Sequence, residues 1–556
     1  MKKYLSRRKK TKIVAALLTG LCLGFFSHAR AAAPSDFETE EYFKSTGLDA
    51  INASSAYSKG YTGKGVTVGI SDTPIIFTSP EFDAKQHSYQ ADDYGRTYIA
   101  ADGTVYYLTE DSTDFPLNDP EFGYYWNHGA HEGGIVAACR NGQGMHGVAY
   151  EGELVGSCPF SSMSGVSSTA AARPGWADAF LNNPAIKIVN CSWNFPCYPL
   201  DMLEENDTIQ DFMDRYWKGT DEYKPVKDIN SPLGKNKLFV WSTGNHGFPM
   251  PALGYGFAHW DEGRAVATNG ISVTALEDTK YLKKEGDRIS GNNILDYFSN
   301  GAAFNEDGTL AAPGTNIVSP NADYVRGNEI DMTDSGTSMA APYAAGTAAL
   351  VQQAFPYMTG KQLGDVLLST ANPTVVTKND CAVTIQIVSE GVFINVYYGD
   401  GVPQTLAQQK QDCYNGLLNP LTANGLTPEN VKRVVERYPI HDYYNVPMEA
   451  LIGQGVLDAG KAVDGLGALN ARRLASSDIS SDYTVKGKPA SQALYAVDTA
   501  GYDSTWANDI KEVRVGLLAP DSTEEDLRQR YNYYKTNWLD RTHHSYGDEV
   551  VGKEFV

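Results

Sequence analysis

Long apolar runs are almost absent from this chain of 556 residues. The run near the N-terminus, Ile13 to Phe26, covers about 14 residues, short of the roughly 20 that a helix needs to cross a bilayer. No other stretch is apolar enough, so no integral membrane segment is expected in the mature chain. The many alternating strands of about ten residues that build an outer-membrane barrel are missing too. Positive charge is scarce: 46 Lys and Arg face 67 Asp and Glu, a formal net charge of −21. That balance argues against nucleic acid or an anionic membrane as partner. Metal-binding patterns are lacking as well. No Cys-x-x-Cys occurs, the ten His show no zinc spacing, and the acidic loops show no EF-hand spacing. No metal and no other cofactor is therefore expected. No internal repeat or low-complexity tract is present.

What is there begins with a targeting segment. Lys2, Lys3, Arg7, Arg8, Lys9, Lys10 and Lys12 precede the apolar run, and Ala29-Arg30-Ala31 follows it as a small-x-small cleavage site. Residues 1–31 read as a signal peptide, and the protein as exported, to the medium or the cell surface. Cys22 follows Leu21, which is too bulky for a lipoprotein cleavage site. Cleavage would remove eight Lys and Arg and no acids, leaving 38 bases against 67 acids and a charge of −29. Acidity of this kind keeps a secreted protein soluble. Six cysteines would remain, and in an oxidising compartment they could form three bridges by any of fifteen pairings. Cys381 with Cys413 is expected at least, for roughly 2 to 4 kcal/mol.

The length suits one large α/β domain with additions. Its centre is Asp334-Ser-Gly-Thr-Ser-Met-Ala-Ala-Pro342, which runs into an almost uncharged segment of small residues. Small side chains let a helix pack on all sides, so Tyr343 to Phe355 is expected to be a buried helix entered from a Gly-Thr-Ser turn. Ser338 then sits at the helix N-terminus, where unpaired N–H groups and the helix dipole stabilise negative charge. A nucleophile belongs there, although a serine before a helix is also a common N-cap.

Three more segments matter. Val66, Val68 and Ile70 alternate as a buried strand ending at Asp72, and functional groups in open α/β sheets gather at such strand ends. Asn127-His-Gly-Ala-His-Glu-Gly-Gly-Ile-Val-Ala-Ala138 carries small residues at helical spacing, with His128 opening the helix and His131 one turn on. Lys237 to Trp241 is strand-like and ends at Ser-Thr-Gly-Asn245-His-Gly.

The run Gly336-Thr-Ser-Met-Ala-Ala-Pro342 resembles the nucleophile motif of the subtilisin-like serine proteases, the subtilases. Gly63-Lys-Gly-Val-Thr-Val-Gly-Ile-Ser-Asp72 resembles that family's aspartate segment, with Pro74 in place of a glycine. Asn127-His-Gly-Ala-His resembles its histidine segment, with Ala130 for threonine and Glu132 for an apolar residue. The order Asp72, His128, Asn245, Ser338 is the subtilisin order. The resemblance spans roughly residues 40–370 and 450–510.

It implies a three-layer α/β fold with a central, mostly parallel sheet flanked by helices. It implies a serine endopeptidase acting on proteins or peptides, expected to be monomeric. Ser338 would be the nucleophile, His128 the general base, Asp72 its orienting carboxylate, and Asn245 an oxyanion-hole donor. Ser192, Trp193 and Asn194 are candidates for pairing with the substrate backbone, Trp193 being equally well ordinary core. Thr243 and Gly244 would form one wall of the specificity pocket. His131 is expected to pack, and His146, in Gly-Met-His-Gly-Val-Ala149, to be non-catalytic. Structural calcium is common in the family, but the sequence does not support it here.

Residues 32–466 are assigned to the peptidase domain, with insertions at about 86–125, 195–235 and 372–447. The last would hold a hairpin of Val383–Ile387 and Val392–Val396. Thr359 and Gln362 read as a capping box for a helix through Leu368. Residues 467–556 form an extension without assigned chemistry, and 522–538 look helical. The segments 452–463 and 494–509 resemble the region after the protease domain in subtilase autotransporters, so the chain reads as a fragment of such a protein or a soluble relative. Two other readings are a silent subtilase-like binding module and an esterase using the same triad.

Overall fold

The computed structural model describes residues 32–91, 127–159, 177–193, 231–252, 269–321, 329–377 and 451–465, with short gaps, and beyond them the backbone of some helices and strands. The signal segment and residues 522–538 lie outside the described residues, as does the Cys381 and Cys413 pair.

Short runs of β-branched and apolar residues with no alternating polar face form strands that are buried on both sides, the habit of parallel sheets. Six such strands and one short exposed edge strand, β2, make the central sheet: β1 (Thr67–Ser71), β2 (Tyr89–Gln90), β3 (Glu153–Ser157), β4 (Ile186–Cys191), β5 (Leu238–Ser242), β6 (Gly270–Leu276) and β7 (Thr309–Pro313). Their order is β7-β6-β5-β4-β1-β3-β2 and every pairing is parallel. The expected strands at Val66–Ile70 and Lys237–Trp241 are β1 and β5, to within a residue or two. An antiparallel pair, β8 (Ile317–Pro320) and β9 (Asp331–Asp334), follows β7.

Helices cover the sheet. After a short helix at Glu40–Lys44 comes α1 (Ala53–Ser58), which buries Ala53, Ala56 and Tyr57. Three longer ones follow: α2 (Pro120–Ala137), α3 (Thr337–Ala354) and α4 (Gly360–Thr370). In α3 all but the last two residues are buried, as its small side chains require. Its start differs from expectation: the helix begins at Thr337, six residues before Tyr343, and so contains Pro342. A proline this close to the N-terminus removes a single hydrogen bond, the one its N–H would have given to the Ser338 carbonyl. α2 likewise begins at Pro120, not at His128, so the histidine lies inside the helix. Asp119-Pro120-Glu121 is a helix-start signature inside the expected insertion at about 86–125. The capping box of α4 is formed, Thr359 and Gln362 each bonding the other's backbone N–H.

The hairpin in the third insertion exists, as Cys381–Ile387 paired antiparallel with Val392–Tyr398. Val456 bridges to both Ala311 and Asn372, which ties the returning segment to the sheet edge. Cys139 and Cys191 are buried free thiols, so the six cysteines do not form three bridges.

Candidate active site

Asp72 directly follows β1, at the carboxyl edge of the sheet, and is 1% exposed. Its Oδ1 accepts from the Thr73 backbone N–H at 2.7 Å and lies 2.6 Å from His128 Nδ1. An ionised carboxylate can only accept, so Nδ1 carries the hydrogen and the neutral ring keeps its lone pair on Nε2. The helix carrying His128 is docked on the aspartate segment: the Gly129 N–H donates to Thr73 Oγ1 at 2.7 Å. A Cβ on Gly129 would fall 1.8 Å from the Thr73 carbonyl oxygen, so only glycine permits this approach.

Ser338 is the second residue of α3, a position whose N–H has no acceptor within the helix. Its Oγ donates to the Ser192 carbonyl at 2.9 Å. Among the described residues no hydrogen bond joins it to His128. Glu132, one helical turn after His128 and fully buried, places Oε1 3.7 Å from His128 Nε2 and Oε2 2.7 Å from Ser192 Oγ. Ser192 Oγ is in turn 2.7 Å from the Ser338 carbonyl oxygen and 2.9 Å from Asn190 Nδ2. A chain of short contacts thus joins the histidine helix to the serine helix through β4.

Asn245 follows the turn after β5. Its Oδ1 accepts from both the N–H and the hydroxyl of Thr337, each at 2.8 Å. This fixes the amide with Nδ2 as the end left to donate beside the Ser338 turn. Gly244 holds φ 108°, and a Cβ there would meet Asn300 Nδ2 at 2.5 Å. The Thr243 carbonyl accepts from Asn300 Nδ2 and from the Ala252 N–H.

Burial alone would push His128 down. The charge and hydrogen bond of Asp72, with Asp334 beyond, outweigh it and raise the imidazole above its usual range, and a charge on Glu132 would add to the rise. Burial raises Glu132 well above the usual carboxylate range, against the attraction of His128, with Asp72 and Asp334 adding to the rise. His131 is buried and held down to about 3, first by burial and then by the charge of His128, and its Nε2 meets the Ile317 carbonyl at 3.1 Å. His146 is buried among Tyr42, Tyr57 and Tyr150 and lowered to about 4 by burial. Both imidazoles are neutral packing groups.

The structure therefore brings Asp72, His128, Asn245 and Ser338 to one edge of the sheet. Of the other expected residues, Trp193 is core: it packs edge-on against Trp241 and donates to Ser71 Oγ at 3.3 Å. The Ser192 hydroxyl is engaged inside the protein, and Asn194 lies outside the described residues. Sequence reasoning missed Thr73, Thr337 and Glu132. For Glu132 a signal existed, its i+4 spacing from His128 on a helix. Among the described residues no group of three His, Cys, Asp or Glu is arranged to hold a metal, and no helix is long and apolar enough to cross a membrane.

Residues 63–401 match the family model described as the subtilase family. The chain is 26% identical over 426 residues to an extracellular serine protease of Serratia marcescens, covering 65% of this chain and 35% of that protein. It is 26% identical over 328 residues to subtilisin Savinase of Lederbergia lenta, covering 58% and 90%. It thus spans about a third of the Serratia protein. A solved structure of a cold adapted subtilisin-like serine proteinase shares 20% identity over 62% of this chain and 91% of that one, with a TM-score of 0.34.

Proposed function

This chain belongs to the subtilase family, and on that footing we propose that it is a secreted serine endopeptidase that cleaves peptide bonds through Asp72, His128 and Ser338. The observation that carries the reading is the 2.6 Å contact between Asp72 and His128 Nδ1, which leaves Nε2 as the basic nitrogen. A serine hydroxyl is a poor nucleophile until a base takes its proton.

In the proposed cycle the Ser338 side chain turns from the Ser192 carbonyl to His128 Nε2. Catalytic hydrogen bonds are often formed only once substrate is bound. Ser338 Oγ adds to the substrate carbonyl while its proton passes to Nε2. Asp72 stabilises the imidazolium. The oxyanion is received by Asn245 Nδ2 and the Ser338 N–H. His128 then returns the proton to the leaving amine, and water hydrolyses the acyl-enzyme by the same route in reverse. Ser192 contributes its backbone to the substrate strand, and Thr243 and Gly244 their backbone to the pocket wall. No metal is needed for any step.

Incubating the purified protein with a peptide library and sequencing the fragments tests the reading. Internal cleavages by the wild type and none by Ser338→Ala are expected. A library left intact would favour a silent binding module, and cleavage of esters but never of peptides would favour an esterase.

A further inference from the structure

Glu132 occupies a place that ordinary packing does not explain. It is fully buried, a turn from His128 on the same face of α2, and its Oε1 has no hydrogen-bond partner although it faces Nε2 at 3.7 Å. Its other oxygen touches Ser192 Oγ, and the hydrogens available there fix its charge.

Ser192 Oγ has one hydrogen and three polar neighbours. Asn190 Nδ2 donates to it. The Ser338 carbonyl can only accept, and it is the carbonyl that Pro342 leaves without its helical donor. The Ser192 hydrogen therefore goes to Ser338. The remaining 2.7 Å contact, between Ser192 Oγ and Glu132 Oε2, needs a second hydrogen, and only the carboxyl can supply it.

We propose that Glu132 works as a protonated carboxyl, a positioning residue that holds Ser192 and leaves His128 free to act as a base, and that turnover falls when it ionises. The inference rests on the endopeptidase reading. Ionisation by transfer of the Glu132 proton to His128 Nε2 breaks one O–H bond and makes one N–H bond with no change in net charge. It would end the base function and set a carboxylate against the imidazolium. Ionisation by loss of the proton to solvent leaves a buried charge near Asp72 and Asp334, and draws the Ser192 hydrogen away from the Ser338 carbonyl. The charged and titratable groups facing Glu132 are His128 from its own helix, Asp72 after β1 and Asp334 at the end of β9. Among the described residues, β4 and the residue after it bring the Asn190 amide, the buried Cys191 thiol and the Ser192 hydroxyl to this region, and α3 has no charged residue. Burial, with the two aspartates, favours the neutral form and outweighs the pull of His128 and of the Ser192 hydrogen bond toward the charged one.

The test is the pH profile of kcat/KM for wild type and Glu132→Gln, measured side by side. The amide keeps both contacts and cannot ionise. The wild type should rise through the titration of His128 and fall again at higher pH, while Glu132→Gln rises and then stays level. Glu132→Leu, which gives Ser192 no donor, should be at least about tenfold slower across the range. A 13C signal of the Glu132 carboxyl, assigned by its loss in Glu132→Gln, should sit in the protonated position at pH 7. An ionised signal at pH 7, or the same falling limb in both proteins, overturns the inference alone. A wild type that cleaves no peptide at any pH overturns the endopeptidase reading and this inference with it.

Discussion

The carboxylate of Asp72 holds the imidazole of His128 by a 2.6 Å contact between Oδ1 and Nδ1, and that contact fixes which nitrogen can act as a base. Asp72→Asn keeps the shape but offers an amide that can donate to Nδ1, favouring the wrong tautomer. We expect kcat to fall by about 10⁴-fold, as such substitutions do in serine triads, with the fold intact by circular dichroism. A loss under tenfold would show that Asp72 does not orient the base.

Asn245 does two jobs through two atoms. Its oxygen holds Thr337 and its nitrogen is the proposed oxyanion donor. Asn245→Asp keeps the acceptor and removes the donor. It should lower kcat by about 100- to 1000-fold, or roughly 2.7 to 4 kcal/mol, and leave thermal stability near the wild-type value. Steady-state kinetics beside a thermal melt separate these effects, since a large drop in melting temperature would point to the Thr337 contact instead.

Gly129 lets the histidine helix approach the aspartate segment. Because a Cβ would sit 1.8 Å from the Thr73 carbonyl oxygen, Gly129→Ala should push the helix away, destabilising by about 1 to 3 kcal/mol or more and lowering kcat/KM with it. Gly270→Ala, where a Cβ would meet nothing within 4 Å, is the control and should do neither. Denaturant melts of the two variants check this.

Glu81 is another buried acid. Its oxygens have no hydrogen-bond partner, and burial, helped by Asp331 and Glu41, raises it from 4.5 to about 9. A folded-state pKa above the unfolded one means stability that is complete below pH 4.5 and is lost as the pH rises toward 9. Glu81→Gln does not titrate, so its advantage should grow across that window and exceed about 1 kcal/mol at pH 8. Melts at pH 4, 6 and 8 with a chelator present test the sign. A variant that is less stable at pH 8 than at pH 4, relative to wild type, would contradict it.

Much of this molecule was legible in its residues because buried parallel strands leave continuous apolar runs and a buried helix leaves a run of small ones. Val66 to Ile70, Lys237 to Trp241 and the segment after Pro342 are of this kind, and each carries a polar residue at its end or beginning. The helix starts were less legible. Pro342 reads as a boundary, yet α3 runs through it, and the hydroxyl of Ser192, just after β4, satisfies the carbonyl it strands. Pro120 opened a helix inside what looked like a loop. Least legible was the contact chain from Glu132 through Ser192 to Ser338, which joins residues 60 and 146 positions apart. Helical spacing reveals that Glu132 shares a face with His128, but which hydrogen it holds depends on those distant partners.

The central claim is that Ser338 is made nucleophilic by its place beside His128 and the start of α3. A fluorophosphonate probe followed by mass spectrometry of the labelled peptide tests it most directly. The account predicts a single adduct on Ser338 in the wild type, slowed sharply in Asp72→Asn and absent in Ser338→Ala. A folded wild type that takes no label, or one labelled equally well after Ser338→Ala, would contradict it.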